Sequence, residues 1–245
     1  MLLLILLFSI LGSIGALLIS ALLLLFPGSI RYRLVPNLVS YATGTLLGAA
    51  FLGMIPAGLQ QAPVFSFSVT LLGGIVLFFL LEKLVLWRHS HEAQPSQQTA
   101  TVPLILIGDG FHNLVDGVVI ASAFLTSIPL GIGVSLAVIA HEIPQEVGDF
   151  AILLESGLSR VKALLLNGLA SSTTLLGALL AYFWLDKTNT WVPYILALSS
   201  ASFIYLALSD LTPGLRKDVG GEATLRQLIL LIAGIGTIAI FHHGQ

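Results

Sequence analysis

Two short stretches place charged and hydrogen-bonding side chains inside segments that are otherwise almost wholly apolar. Residues 109–116 read DGFHNLVD and residues 141–149 read HEIPQEVGD. The first supplies Asp109, His112, Asn113 and Asp116, and the second supplies His141, Glu142, Gln145, Glu146 and Asp149. At about 100° per residue, the first set falls within about a third of a helix circumference and the second within about 140°. Each helix thus carries one polar stripe. Neutral imidazole, ionised carboxylate and amide oxygen are donors that suit zinc, iron, manganese and related divalent ions. Interhelical hydrogen bonding and a proton path without metal are the competing chemistries. Two histidines, two amides and several carboxylates together favour a metal centre over both.

The surroundings fix the setting of these stripes. The chain has 245 residues, 56% hydrophobic and only 9% charged, with a mean hydropathy of +1.00. Soluble domains carry about a quarter charged residues, so a water-soluble fold could not cover this much apolar surface. Eight segments are long enough to cross a hydrocarbon core: 2–26, 36–57, 65–87, 102–125, 128–154, 160–184, 191–211 and 225–241. The expected fold is all-α, a polytopic membrane bundle of eight helices forming one domain over 1–245, with a His-containing polar loop at 88–102. A charge at the bilayer centre costs about 2.5–3.5 kcal/mol, and five carboxylates facing lipid would cost on the order of 10 kcal/mol. Asp109, Asp116, Glu142, Glu146 and Asp149 must therefore face the bundle interior, water or a cation.

Basic residues set the expected orientation. Arg31 and Arg33, Lys83 and Arg88, Arg160 and Lys162, and Arg216, Lys217 and Arg226 flank the odd-numbered joints, against Lys187 alone on the other side. Short loops rich in Lys and Arg stay cytoplasmic, which places both termini outside the cytoplasm. The first 26 residues lack a basic leading region and read as a retained span. With no cysteine there is no thiolate or disulfide chemistry. A net charge of −2 and the lack of a basic tract argue against a nucleic-acid partner.

His112 and His141 stand near the midpoints of spans four and five, so antiparallel neighbours bring both stripes to one depth. Pro144 removes an amide donor and frees the carbonyl of Ala140, which membrane helices tolerate beside a cavity. Gly110, Gly117 and Gly148 permit close helix approach or bending. HNLVD (112–116) and HEIPQ (141–145) share one pattern on oppositely running helices, as in an inverted pair around a midplane site.

In these residues the chain resembles the ZIP (Zrt/Irt-like) family of divalent-metal transporters, whose paired signatures are HNxxDG and HEIPHE. The likeness extends through GTLLGAAFLGMIPAG, FFLLEKLVLWRHSHE and IYLALSDLTPGL, and is nearest the subfamily whose fifth span continues into GDFAIL. The resemblance implies a first metal site of His112, Asp116 and His141 with Gln145, and an adjoining second site of Asn113, Asp116 and Glu142, with Asp116 as the bridge. It implies passage of zinc, iron or manganese towards the cytoplasm. The chain departs from the family at Gln145, where His or Glu is usual. It departs again in span two, where Gly53 and Ala57 cannot ligate and Met54 offers a thioether, and in the neutral run Ser171–Thr174 of span six.

The function expected is transport of divalent transition-metal ions, zinc first and then iron, manganese or cadmium, towards the cytoplasm through a one- or two-ion centre. The ion is substrate, and neither a prosthetic group nor a catalytic residue is expected. Asp109, Glu146 and Asp149 form the expected release path, with His89, His91 and Glu92 of the polar loop receiving the ion. His242 and His243 read as a polar terminus in preference to a weak capture point, and Asp210 equally as a cap or partner of Lys217 and as a metal contact. Lipid is the surrounding partner, a homodimer is the assembly considered, and the plasma membrane (the inner membrane in a bacterium) is the expected location. The rival readings are a membrane-embedded zinc protease and a metal sensor without flux. The protease motif H-E-x-x-H needs a second His where Gln145 stands.

Overall fold

The computed structural model describes residues 1–91, 98–185, 189–215 and 220–241, with the side chains of 85–91, 98–101, 104 and 189 outside the description. Among the described residues the chain is helical and has no strand. Eight helices are long and apolar enough to cross a membrane: α1 (Leu2–Leu23), α2 (Gly28–Leu59), α3 (Val64–His91), α4 (Gln98–Thr126), α5 (Ile128–Glu155), α6 (Arg160–Leu185), α7 (Val192–Leu215) and α8 (Gly221–Ile240). This is the all-α membrane bundle that composition demanded, and the protein is an integral membrane protein.

The helices sort into two packed groups. α4 lies along α6 and α5, with α1 against α5 and α6; α2 packs on α8, and α7 on α3. The groups meet where α5 crosses α2 and α7 touches α4. In lipid, apolar side chains gain little by leaving their surroundings, so close backbone approach must hold the helices together. Glycine provides it. A Cβ at Gly117 would overlap the backbone of Thr174 and Ala178, and one at Gly177 would overlap the Leu114 carbonyl. Gly44 and Gly234 make the same close approach between α2 and α8. Gly148, expected to allow close packing, instead has open space where a side chain would stand.

Two boundaries differ from the sequence reading. The stretch 27–35 was expected as a joint, but α2 begins at Gly28 and carries Pro36 inside it. The reason is position. Pro36 lies early in the helix, and the carbonyl it leaves without a donor belongs to the turn of Tyr32, which is 83% exposed. α3 and α4 also reach into the expected loop 88–102, to His91 and from Gln98. Widened π-helical turns occur at Leu11–Gly15, Ala49–Met54 and Leu206–Leu211; Pro56 and Pro213 closely follow the second and third, and each lacks the amide that would donate back into the turn. The third is steadied by Thr212, whose hydroxyl donates to the Ala207 carbonyl at 2.6 Å.

The backbone contact at Gly177 generates a paired expectation. Gly177→Ala should destabilise the bundle by about 1–3 kcal/mol, the usual cost of overpacking, as read by thermal unfolding in detergent. Gly73→Ala, where no atom lies within 4 Å, should be neutral or slightly stabilising. Equal effects of the two substitutions would contradict the packing described.

Candidate metal centre

α4 and α5 run antiparallel, and His112 and Asp116, one turn apart on α4, stand opposite the adjacent residues His141 and Glu142 of α5. One donor atom from each of these four side chains lies within 4.8 Å of all the others. His141 Nε2 is 3.1 Å from Asp116 Oδ2 and 3.9 Å from Glu142 Oε1, and His112 Nε2 is 3.4 Å from Glu142 Oε1 and 3.8 Å from Asp116 Oδ2. The two imidazole Nε2 atoms are 3.3 Å apart. Ligands about 2.0–2.1 Å from a tetrahedral zinc stand about 3.3 Å from one another. The spacing of the cluster therefore matches the edges of a coordination shell.

Hydrogen bonding aims the donors inward. His141 Nδ1 lies 2.9 Å from the Ala137 carbonyl, which can only accept, so Nδ1 carries the proton and Nε2 presents a lone pair. The Phe203 ring meets the His141 ring edge-on at 5.8 Å, filling the space behind it. Asp116, His141 and Glu142 are fully buried, while the His112 side chain is 20% exposed. Both carboxylate oxygens of Asp116 and both of Glu142 are buried without a hydrogen-bond partner among the described residues. Burying a charge without a partner costs several kcal/mol. A cation in the middle of the four would remove that cost.

The other expected site residues occupy distinct places. Asn113 is buried beside the cluster: its Nδ2 donates to Asp109 Oδ1 at 2.8 Å, and its Oδ1 accepts from the Thr174 hydroxyl at 2.8 Å. One lone pair of that amide oxygen remains for an ion. Gln145 is half-buried one turn beyond His141, and its side chain makes no hydrogen bond among the described residues. Glu146 accepts hydrogen bonds from Asn167 Nδ2 and from the Ser171 hydroxyl of α6. Asp109 is buried and Asp149 half-buried on the same side of the centre. Met54 is buried in the apolar core. The α5 helix passes through Pro144 unbroken, and Ser20 of α1 donates to the Ile143 carbonyl beside it at 2.8 Å. The side chains of His89 and His91 lie outside the description, as do Glu92, Lys187, Arg216, Lys217, His242 and His243.

The polar stripe of α6 was not read from the sequence as a unit. Asn167, Ser171 and Thr174 follow a spacing of four and three, so one helix face supplies Glu146 and Asn113 with donors. Two wall residues were also missed. A cavity of about 560 Å³ opens beside His112 and is lined by Phe78, Glu82, Phe111, Tyr205 and Asp210. Tyr205 donates a hydrogen bond to Glu82 across it, joining α7 to α3. Charged Glu82 and Asp210 within apolar spans were the available signal. The cavity lies at the end of the bundle where α3 finishes and α4 starts. Towards the opposite end, the path between α4 and α5 is closed by buried Val119, Ile120, Phe124, Leu130 and Val134.

Comparison with known proteins places this geometry in a wider group. A family model described as ZIP Zinc transporter matches residues 88–242. The chain is 34% identical over 225 residues to zinc transporter ZIP13 of Pongo abelii, covering 84% of the chain and 66% of the relative. It is 36% identical over 170 residues to zinc transporter ZIP6 of Homo sapiens, covering 64% of the chain and 22% of the relative. A ZIP13 homolog of Drosophila melanogaster is 27% identical over 274 residues, covering 85% of the chain and 77% of the relative. The chain thus spans about two thirds of the length of the first relative and about a fifth of the second.

The α5–α6 tie makes the second prediction. Asn167→Ala leaves one oxygen of Glu146 without its donor and should cost on the order of 1–3 kcal/mol in thermal unfolding. The double variant with Glu146→Ala should cost less than the sum of the single substitutions, since both remove one interaction. Additive losses would show that the two side chains act independently.

Proposed function

The chain belongs to the family of ZIP zinc transporters, and from that premise we propose that it carries divalent transition-metal ions, zinc foremost, across its membrane. The ion binds between His112, Asp116, His141 and Glu142. The observation that carries this reading is one oxygen each from Asp116 and Glu142, buried and without a hydrogen-bond partner among the described residues, set with two imidazoles at ligand spacing. Asn113 and Gln145 complete the ligand set, and Asp116 is the bridge if two ions share the centre. A neutral amide at Gln145 adds no charge, so the affinity of the centre rests on the other four side chains. No step of this passage is a chemical reaction: the protein acts as a transporter, and the ion as its cargo.

The distribution of Lys and Arg supports an orientation with both termini outside the cytoplasm. In that orientation the cavity beside His112 opens inward, and the packed apolar residues between α4 and α5 close the outer path. The structure then corresponds to an inward-facing state. An ion leaving the centre passes His112 and meets Glu82 and Asp210, with Asp109, Glu146 and Asp149 as further carboxyl groups on the same side. His89 and His91 at the end of α3 are the receiving groups. Metal binding needs deprotonated ligands and so releases protons as the site fills. The plasma membrane is the proposed location.

Uptake into proteoliposomes tests the reading with zinc, iron(II), manganese and cadmium. Removing a group that only orients a metal ligand costs about 10–100-fold, so His141→Ala and Asp116→Ala, which delete proposed ligands, should each lower zinc flux by at least about a hundredfold. Wild-type flux in either folded variant would sink the centre as the transport site. Gln145→His should lower the zinc concentration for half-maximal flux, because a strong nitrogen donor replaces a weak amide oxygen. An unchanged concentration dependence would remove Gln145 from the ligand set.

A further inference from the structure

A second cavity, of about 840 Å³, lies between the start of α2 and the start of α8, and the last turn of α7 closes its side through Gly214. Its walls include Gly28, Ser29, Tyr32, Arg33, Arg226 and Gln227. None of the described residues that line it is acidic. α2 starts here after Pro27 with no side-chain cap, so the free amides of its first turn face the same space as the arginines. A third guanidinium stands at the edge: Arg31 Nη2 lies 3.9 Å from where a Cβ on Gly28 would sit, and Arg31 Nε is buried without a hydrogen-bond partner among the described residues. Gln227 donates to the Leu215 carbonyl at 3.2 Å and so fixes α8 to the end of α7 beside the opening.

We propose that this cavity binds the phosphate headgroup of an anionic phospholipid. Basic pockets between membrane helices suit such headgroups, and a helix N-terminus adds partial positive charge. What commits the site to a lipid over a free phosphate ion is its fringe. Ile30 and Leu34 beside the α2 arginines are 40% and 37% exposed, and Leu225 and Ile229 beside Arg226 are 58% and 57% exposed. Those side chains offer acyl chains an apolar bed next to the phosphate. Tyr32, 83% exposed, has the amphipathic ring typical of the headgroup level. The bound lipid would join α2, α7 and α8, three helices of one packed group. The inference rests on the membrane setting of the chain and needs neither the metal centre nor transport.

Native mass spectrometry of the detergent-solubilised full chain, titrated with phosphatidylglycerol or phosphatidylcholine, tests the assignment. With a gain from each arginine near the headgroup, phosphatidylglycerol should be retained about tenfold better than phosphatidylcholine. That preference should vanish in Arg33→Gln/Arg226→Gln and persist in Arg160→Gln, which removes a basic residue at the start of α6. Raising the salt concentration should erase it in the unaltered protein, a control independent of any folding defect in the variants. Equal retention of the two lipids, or full preference in the double variant, would overturn the proposal. So would thermal stabilisation by inorganic phosphate without lipid preference, which would assign the cavity to a soluble anion. Because zinc flux is not the readout, failure here leaves the transport reading standing, and failure of transport leaves this one.

Discussion

Two carboxylates buried without hydrogen bonds govern the rest of this fold. Asp116 and Glu142 face each other across α4 and α5, buried and without a hydrogen-bond partner among the described residues. Such an arrangement is stable only when the surrounding helices cannot relax to hydrate it and when a positive species occupies the gap. The chain meets the first condition with glycine-mediated backbone contacts, α4 against α6 and α2 against α8. The second is left to whatever cation enters: His112 and His141 line the gap, with His141 held by its Nδ1 contact to the Ala137 carbonyl.

Neutral donors handle the remaining polar groups. Thr174 holds the oxygen of Asn113, Asn113 holds Asp109, and Asn167 with Ser171 holds Glu146. None of these contacts adds a fixed positive charge beside the centre. An arginine or lysine in their place would compete with an incoming cation for the same carboxylates. Satisfying acids with amides and hydroxyls fixes their geometry without adding a cation that would compete with the cargo.

The fold and much of the candidate centre were legible in the sequence because lipid removes alternatives. Charged residues in apolar spans must turn inward, so the stripes of 109–116 and 141–149 announced both their direction and their partners. Helix ends were less legible. Pro36 looked like a boundary, yet the carbonyl it leaves without a donor is that of exposed Tyr32, so the helix tolerates it. Of the π-helical turns, Leu11–Gly15 carries neither proline nor charge, while the other two stand just ahead of Pro56 and Pro213, residues that read equally well as ordinary helix ends. Asn167 and Glu82 were overlooked for different reasons: one is a single amide in a long apolar helix, and the other sits beside Lys83 and so reads as a surface pair.

His112 differs from the other three members of the cluster in one respect: solvent reaches its side chain, while Asp116, His141 and Glu142 are sealed. Escape of a captured ion would therefore begin as a ligand exchange at one imidazole, with water taking its place before any other bond loosens. The three sealed donors act as an anchor and the fourth as a latch. The pace of dissociation would then follow how readily a single ring swings aside, largely independent of the total strength with which the cluster holds its ion.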